Sequence, residues 1–433
     1  MKVKLTAVFT ALFLSNMLIA QQLYFPPLQG NTWDTLSPQS LGWCDDKIKS
    51  LTDWLGQTDT KAFIVLKDGK IVIEKYFGSF TADSLWYWAS AGKTMTSTLT
   101  GIALQEGKLK LTDITSDYLG KGWTSLTEDQ EQKITIFHQL TMTTGLDDQV
   151  PDLYCTELSC LKYKAIPGTR WAYHNGPYTV LDGVLEKATG VKLNTYVLSK
   201  ITQKTAITGQ FFKIGYNNVF ISKPRSMARF GLLMLSKGRW NQNEIVAESY
   251  FKQMVQTSQN INPSYGYLWW LNGKDKSMVP GSQVVFNRPL FFNAPSDMFS
   301  ALGRDGQIIN VVPSKNLVVV RMGRGAEGSP ASLFYNDILW SYINRLECAS
   351  SVISAETGSK FQLTMREDGW LCYERSLPAG QLILTSMQGS TFFPAISDTC
   401  ADVSNLPSGW YVATYYSRNV PVKNAKVFIP YRN

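Results

Sequence analysis

The spacing of apolar and polar residues predicts alternating helices and strands up to about residue 346. Residues 45–55, which follow Cys44, predict a helix. Two apolar runs, at residues 62–67 and 70–76, flank Asp68-Gly69, a dipeptide that favours a tight hairpin. The start of this region is therefore predicted to be a helix followed by a β-hairpin.

The middle of the chain, from residue 90 to about 256, is predicted to be mostly helical. Strands are predicted again between residues 265 and 320. A last helix, capped by Ser329 and begun by Pro330, is predicted to run to about residue 346. This order predicts a sheet built from both ends of the region, with a helical lobe inserted and a site in the cleft between them.

The tail has a different pattern. From about residue 350 it alternates short β-prone runs with turns and has no long amphipathic helix, which predicts a small all-β domain. The predicted organisation is a signal peptide at residues 1–20, an N-terminal segment at 21–39, the main domain at 40–347 and a C-terminal domain at 350–433.

The first twenty residues have the composition of a secretory signal. Lys2 and Lys4 precede an almost wholly apolar run that ends at Ala20, just before Gln21 and Gln22. A signal anchor is the alternative interpretation. No later segment is apolar enough to span a bilayer. We therefore predict export to the periplasm, the cell surface or the medium.

Charge and cysteine content narrow the function classes further. The formal net charge is +8, but the lysines and arginines are scattered, whereas a nucleic-acid partner usually requires a basic patch or stripe. The sequence therefore predicts no nucleic-acid binding.

Six cysteines in an exported chain favour disulfides, and Cys155 and Cys160 are close enough for a local loop. Free buried thiols are the alternative.

Ser90 and Lys93 are the first candidates for chemistry. They lie three residues apart at the start of residues 90–105, a stretch rich in Ala, Leu, Met and Thr that predicts a helix closed by Glu106-Gly107. Residues at i and i+3 share a helix face, so the amine can act as a base for the hydroxyl. Taken alone, the pattern also fits a solvated pair on a helix surface.

Two later segments add candidate groups. Tyr173 and Asn175, in a loop that enters a predicted helix, offer a phenol to relay protons and an amide to bind a substrate carbonyl. The strand predicted near Gly303 starts with small residues. Such an edge lets backbone N–H groups approach a bound acyl group.

These motifs, in this order, resemble those of the serine β-lactamase and penicillin-binding protein superfamily, most closely its class C and esterase-like branch. The three motifs are Ser90-x-x-Lys93, Tyr173-x-Asn175 and, as aligned here, Ala301-Leu302-Gly303. Residues 134–146, 226–233 and 265–270 also match the family's secondary signatures. The resemblance covers roughly residues 40–345.

The resemblance implies an α+β fold of the β-lactamase/transpeptidase-like type, an antiparallel sheet flanked by helices with an inserted helical lobe. Here a small C-terminal all-β domain would follow it. In that fold the N- and C-terminal helices pack antiparallel on one face of the sheet, which would bring Cys44 near Cys348. Cys372 and Cys400 remain and could pair within the tail. With Cys155–Cys160, this is one of fifteen possible connectivities.

The third motif departs from the family pattern, which is usually Lys-Thr-Gly or His-Thr-Gly. In the family the basic residue helps to bind a substrate carboxylate, so Ala301 in its place favours ester or amide hydrolysis without an obligatory carboxylate. Strand alternation predicts that the Arg304 side chain points to the face opposite Gly303. The backbone N–H groups of Arg304 and Ser90 are the expected oxyanion donors.

We therefore expect a serine hydrolase that cleaves small-molecule esters, amides or peptides by two-step acyl transfer. Ser90 would be the nucleophile, Lys93 its base and Tyr173 the proton shuttle, while Asn175 would orient the substrate. No metal or other cofactor is expected. One alternative is a penicillin-recognising D-Ala-D-Ala peptidase or class C-like β-lactamase, and another is a catalytically idle binding or sensor module.

The two histidines do not predict a Ser-His-Asp triad, since neither follows a Gly-x-Ser-x-Gly motif. His138 is expected to pack or to cap a helix, and His174 to point away from the face shared by its neighbours. Two histidines beside paired cysteines also make a zinc site improbable.

Other polar residues receive structural interpretations. The carboxylates expected to cap helices or lie on the surface are Asp147, Asp148 and Asp182. Gly323-Arg324-Gly325 is expected to be a loop at a strand end, because it lacks the Gly-Lys-Ser/Thr ending of a phosphate loop.

The end of the chain resembles the C-terminal sorting domains of type IX secretion substrates. These are small β-sandwiches with a Leu-Pro-x-Gly-x-Tyr turn and a final lysine-bearing strand. Here the turn would be residues 406–411, and Lys423 and Lys426 lie in the last predicted strand. The resemblance implies the type IX machinery as a partner, and the alternative is a β-rich accessory domain without a sorting role.

Overall fold

The computed structural model describes two compact units, which divide the chain between residues 349 and 350. In the first unit the described residues are 23–325 and 332–348. In the second they are 363–366, 370–373, 381–386, 391–392, 394, 396–397, 399–417 and 420–429. The predicted signal peptide, Ser329 and Pro330 lie outside the described residues.

The first unit is an α+β fold, as predicted. Its helices are α1 (Asp45–Gln57), α2 (Lys93–Gln105), α3 (Ser116–Leu119), α4 (Glu128–Glu131), α5 (Ile136–Leu140), α6 (Asn175–Thr179), α7 (Leu181–Thr189), α8 (Leu193–Val197), α9 (Gln203–Thr205), α10 (Pro224–Leu235), α11 (Glu248–Met254) and α12 (Leu333–Ile343). Its strands are β1 (Thr60–Lys67), β2 (Lys70–Tyr76), β3 (Trp86–Tyr87), β4 (Gly209–Ile214), β5 (Asn217–Ser222), β6 (Arg239–Trp240), β7 (Asn243–Glu244), β8 (Trp270–Leu271), β9 (Phe299–Gly303), β10 (Gln307–Val312) and β11 (Leu317–Gly323).

A six-stranded antiparallel sheet organises this unit, in the order β2-β1-β11-β10-β9-β8. Its strands come from both ends of the region, which confirms the predicted architecture. Every residue of β10 and β11 is buried, so both faces of the sheet are covered at its centre. Helix α10 packs on β1, β10 and β11, and α1 packs on β1 and α12.

The predicted pairing of the terminal helices is confirmed. Trp54 on α1 stacks between Tyr335 and Tyr342 on α12, with ring centroids 4.8 Å apart in both pairs. The Cys44–Cys348 disulfide joins the start of α1 to the segment after α12. The other two pairs, Cys155–Cys160 and Cys372–Cys400, are also as expected.

Two predictions are wrong in part: the mostly helical middle of the chain and the start of the last helix. The middle of the chain is not simply helical, because β4 and β5 form a hairpin whose turn includes Gly215 at φ 60°. Adjacent aromatic and aliphatic residues with high β-propensity in both strands favour this hairpin, and β3 adds to its edge. Helix α12 begins at Leu333, three residues later than predicted, because Ser332 adopts the left-handed conformation with φ 46°.

The second unit is strand-rich in its described parts, as predicted. Its strands are β12 (Leu363–Met365), β13 (Trp370–Tyr373), β14 (Gln381–Ser386), β15 (Thr391–Phe392), β16 (Ile396–Ser397), β17 (Cys400–Asp402), β18 (Gly409–Ser417) and β19 (Val420–Ile429). They form two four-stranded sheets, β12-β13-β17-β16 and β15-β14-β18-β19. The Cys372–Cys400 disulfide links β13 to β17 within the first of these sheets.

Across the described residues of both units, no helix is long and apolar enough to cross a membrane.

Candidate active site

Ser90 lies in a tight turn that leads directly into α2. The turn, Ala89–Gly92, is a 3₁₀ helix, so the predicted helix at 90–105 is regular only from Lys93. Ala89 has φ 46°, a left-handed conformation that costs a non-glycine residue about 1 kcal/mol or more. The buried Trp88 holds the turn to β5: its backbone N–H donates to the Phe220 carbonyl at 2.8 Å.

Lys93 is buried beside the Ser90 hydroxyl. Its Nζ lies 2.8 Å from Ser90 Oγ, and only 3% of the residue is exposed. The rings of Tyr173 and Tyr178 lie 5.0 and 4.6 Å from Nζ, and no ion pair to Lys93 occurs in the described part of the chain. Burial lowers the pKa of Lys93 to about 7, so a large fraction of the amine is neutral near pH 7.

Tyr173 approaches the same hydroxyl from another part of the chain. It lies just before α6, is buried, and its ring stacks on Trp270 with centroids 5.4 Å apart. Burial raises the pKa of Tyr173, and a hydrogen bond with Ser90 offsets part of this rise. The phenol therefore stays protonated at neutral pH, where it can donate a hydrogen bond.

Asn175 is the first residue of α6 and lines the cavity that contains Ser90. The start of this helix packs closely on the Cys155–Cys160 loop. A Cβ at Gly176 would lie 2.4 Å from the Cys155 carbonyl oxygen, so only glycine fits there. The disulfide loop therefore fixes the start of α6 and, with it, the position of the Asn175 amide in the cavity.

Strand β9 touches the nucleophile turn at Gly303. A Cβ there would lie 2.4 Å from the Trp88 carbonyl oxygen and 3.0 Å from the Ala91 nitrogen. This close approach requires glycine and places the end of β9 beside Ser90.

The Arg304 side chain lies on the cavity side, so the expectation that it points away is wrong. Strand alternation no longer applies, because β9 ends at Gly303 and the chain enters a 3₁₀ turn, Arg304–Gly306. Its Nη2 donates to the Tyr154 hydroxyl at 2.6 Å, and both residues line the cavity. No ion pair to Arg304 occurs among the described residues.

Arg321, on β11, holds this turn and was not singled out from the sequence. The residue is fully buried, and its Nη1 donates to the carbonyl oxygens of Asp305 and Gly306, both at 2.9 Å. Its other donors bond the Thr60 hydroxyl and the carbonyls of Thr58 and Arg324. The sequence feature that could have indicated this role is a positively charged residue within the otherwise apolar run Val318-Val319-Val320-Arg321-Met322.

The cavity has a volume of about 700 Å³ and is bounded by three parts of the fold. Its floor is the Ser90 turn with Lys93 and Tyr178. The β4–β5 hairpin and β3 also line the cavity, together with Tyr154, Asn175 and Arg304. Of the predicted site residues, Ser90, Lys93, Asn175 and Arg304 line this cavity. Tyr173 and Gly303 do not line it, and they contact Lys93 and the Ser90 turn from behind.

Asp182 is not a surface or capping carboxylate, and this expectation is wrong. The residue is buried in the first turn of α7, where it accepts a hydrogen bond from Asn218 Nδ2 at 2.8 Å and one from Thr96 Oγ1 at 3.4 Å. Burial raises the pKa of Asp182 to about 7. Asp147 is closer to the expectation, since it accepts from the Gln149 N–H. For Asp148 the expectation is wrong, because its side chain is only 9% exposed and pairs with Arg170.

The histidines take structural positions. His138 closes a capping box at the start of α5, where its Nδ1 accepts from the Thr135 N–H at 3.2 Å. His174 is buried, and neither ring nitrogen has a hydrogen-bond partner among the described residues. Burial lowers the pKa of His174 to about 4, so the ring is neutral at pH 7. Neither histidine lines the Ser90 cavity, and no metal-ligand cluster occurs in the described chain.

Comparison with protein-family models identifies the family, and individual relatives and solved structures are similar at low identity. The protein-family model described as Beta-lactamase matches residues 55–337. A β-lactamase of Escherichia coli (strain K12) is 23% identical over 314 residues, which cover 62% of this chain and 81% of the relative. A 6-aminohexanoate-dimer hydrolase of Paenarthrobacter ureafaciens is 22% identical over 276 residues, 54% of this chain and 70% of the relative. The crystal structure of a family VIII carboxylesterase is similar with a TM-score of 0.53 at 13% identity, over 70% of this chain and 97% of that one.

The contact at Gly303 generates a testable prediction. Gly303→Ala should destabilise the protein by about 1–3 kcal/mol, because β9 or the Ser90 turn must move to admit the methyl group. Backbone strain does not contribute, since φ is −132°. The matched control is Gly56→Ala on α1, where the nearest atoms lie 3.6 Å away and alanine favours the helix. Thermal unfolding measures both variants, and a Gly303→Ala protein as stable as the control would contradict the close approach.

Proposed function

Because the chain belongs to the β-lactamase family, whose relatives include hydrolases, we propose that it is an exported serine hydrolase that cleaves esters or amides through an acyl-enzyme at Ser90. The observation that carries the proposal is the 2.8 Å contact between Lys93 Nζ and Ser90 Oγ, made where the amine is buried without an ion-pair partner in the described chain. A neutral amine at this distance is a base for the hydroxyl.

The proposed reaction has two acyl-transfer steps. Neutral Lys93 accepts the Ser90 proton as Oγ attacks the substrate carbonyl carbon. Tyr173 then donates its proton to the leaving oxygen or nitrogen and takes up the proton held by Lys93, so that both groups end the step neutral. The backbone N–H groups of Ser90 and Arg304 are the proposed donors to the oxyanion, and Asn175 orients the substrate. Water then attacks the acyl-enzyme by the reverse proton path, which frees the acid and returns the proton to Ser90.

Ester or amide substrates are favoured over β-lactams by the third motif. Ala301 stands where the family usually has a basic residue, so the cavity lacks that anchor for a substrate carboxylate. Among the similar proteins, one is named as a 6-aminohexanoate-dimer hydrolase and another as a family VIII carboxylesterase. Both names fit a cavity that binds an acyl group without a β-lactam ring.

A penicillin-recognising activity is the second candidate, and one observation favours it. The Arg304 guanidinium lines the cavity and has no ion pair among the described residues, so it can meet a substrate carboxylate. In this alternative, Arg304 would take over part of the role of the missing basic residue.

The first prediction here concerns the nucleophile. Purified mature protein should hydrolyse p-nitrophenyl butyrate, and Ser90→Ala should lose several orders of magnitude in kcat/KM because the covalent route disappears. Lys93→Ala should lose a similar amount, and Tyr173→Phe less. The same preparations are incubated with a fluorescent penicillin: covalent labelling that depends on Ser90 would favour the second candidate. Equal, background-level ester hydrolysis in wild type and Ser90→Ala would contradict the esterase assignment.

The second prediction concerns pH. If Lys93 is the base, kcat/KM should rise as pH increases through about 7, because the protonated amine cannot accept the Ser90 proton. Asp182 has a similar pKa, so Asp182→Asn is the control. The rise in kcat/KM near pH 7 should persist in Asp182→Asn. If the rise disappears in that variant, the group that titrates is Asp182 and not Lys93. The profile of kcat/KM from pH 5 to 9 measures both.

For the second unit, we infer a sorting role in type IX secretion. The inference is supported by the Leu406-Pro407-Ser408-Gly409-Trp410-Tyr411 turn, in which the Tyr411 hydroxyl donates to the Pro407 carbonyl at 2.7 Å. It is supported further by Lys423 and Lys426 on the last strand, β19.

The sorting inference predicts the outcome of a truncation. A chain ending at residue 349, expressed in a type IX-competent host, should remain in the periplasm and keep its hydrolase activity there, because the site lies wholly in the first unit. Fractionation and activity assays compare it with the full chain. Unchanged surface delivery of the truncated protein would overturn the sorting role and leave an accessory β-domain.

A further inference from the structure

The β4–β5 hairpin is apolar on both of its faces. On one face, Phe211 and Phe220 are buried in the core, with ring centroids 5.0 Å apart. On the other, Phe212 and Ile214 are 47% and 56% exposed, and Val219, paired with Phe212, is partly buried beside them. A hairpin that packed only against its own core would carry polar residues on this second face.

This second face lines the Ser90 cavity. Phe212, Ile214, Val219 and Ile221 all belong to the cavity wall, and Trp86 on the neighbouring β3 continues it. Apolar surface that stays exposed to water in an active-site cavity is typical of a binding wall. A ligand that covers this surface removes apolar area from water, which contributes favourable binding free energy.

The wall is held firmly in place. The side chain of Asn194 bonds both backbone groups of Phe211, at 2.7 and 2.9 Å. The Asn218 side chain donates to the buried Asp182 carboxyl at 2.8 Å, and the Phe220 carbonyl accepts from the Trp88 N–H next to the nucleophile turn. Such a wall is preorganised, so little ordering of the hairpin opposes ligand binding.

The acyl group is the part of the substrate that fits this wall. Tyr173, the proposed proton donor to the leaving group, packs on Trp270, whereas the hairpin packs on Trp88, directly before the turn that carries Ser90. The leaving group should therefore depart toward the Tyr173 side. The acyl group, attached to Ser90, lies beside β5, which spans about 13 Å from Asn217 to Ile221 at the usual strand rise.

We propose that the cavity face of the β4–β5 hairpin is an acyl-chain subsite, so that the preferred substrates carry an apolar acyl chain of medium length. The proposal rests on the acyl-enzyme chemistry at Ser90. Each methylene buried on the wall should raise kcat/KM by up to about fourfold, which corresponds to about 0.8 kcal/mol of transfer free energy.

The test compares p-nitrophenyl acetate, butyrate and octanoate as substrates of the full mature protein. We expect kcat/KM to rise by at least about tenfold from acetate to octanoate. This rise is well below the largest gain that burial of the additional methylene groups allows. Phe212→Ser with Ile214→Ser should lower the ratio of kcat/KM for octanoate to kcat/KM for acetate and so remove most of this gain. Phe334→Ser is the matched control, since Phe334 is 51% exposed on α12 and lies outside the cavity, and it should keep the full gain.

The possible outcomes distinguish failure of the acyl-chain subsite from failure of the proposed acyl-enzyme chemistry. Hydrolysis that depends on Ser90 but not on acyl length would overturn the subsite and leave the hydrolase intact. Hairpin variants that keep the full preference for octanoate would also overturn the subsite alone. No Ser90-dependent hydrolysis of any of the three esters would overturn the subsite together with the proposed function.

Discussion

Burial of a lysine without a counter-ion is the constraint on which the rest of the site depends. An ammonium group withdrawn from water loses hydration that no carboxylate restores here, so the fold favours the neutral amine of Lys93. The amine meets the Ser90 hydroxyl on one side and the rings of Tyr173 and Tyr178 on others. Helix α2 can hold it there because almost every residue of the helix is buried.

The C-terminal strands of the sheet position the Ser90 turn and the turn after β9 through contacts with backbone groups. Gly303 brings β9 against the Trp88 carbonyl, and Arg321 fixes the following turn by donating to the carbonyls of Asp305 and Gly306. A guanidinium that bonds several carbonyls distributes its charge over many acceptors, so burial without a carboxylate is tolerated. The geometry around Ser90 is thus set mainly by groups that never enter the cavity.

Local patterns in the sequence predict much of this arrangement and miss the rest for identifiable reasons. Periodicity predicts the sheet strands and α1, and the spacing of Ser90 and Lys93 places both at one turn. The β4–β5 hairpin was missed because its apolar residues are adjacent rather than alternating and it lies within a largely helical stretch. Burial of Asp182 depends on Asn218, a residue distant in sequence, so no local pattern shows it. Arg304 lines the cavity because the strand ends one residue earlier, a boundary that alternation does not predict.

The split origin of the central sheet has a consequence for how the protein acquires its site. Phe63 on β1 pairs with Arg321 on β11, and the disulfide that joins the same ends spans 304 residues. Contacts of such high contact order form late and slowly, because the loop between them must close first. A nascent chain therefore carries Ser90 and Lys93 long before it can bury them. Before β9 closes on the Ser90 turn at Gly303, we expect the amine to be more solvated, which favours its protonated form and a chain that does not attack esters or amides.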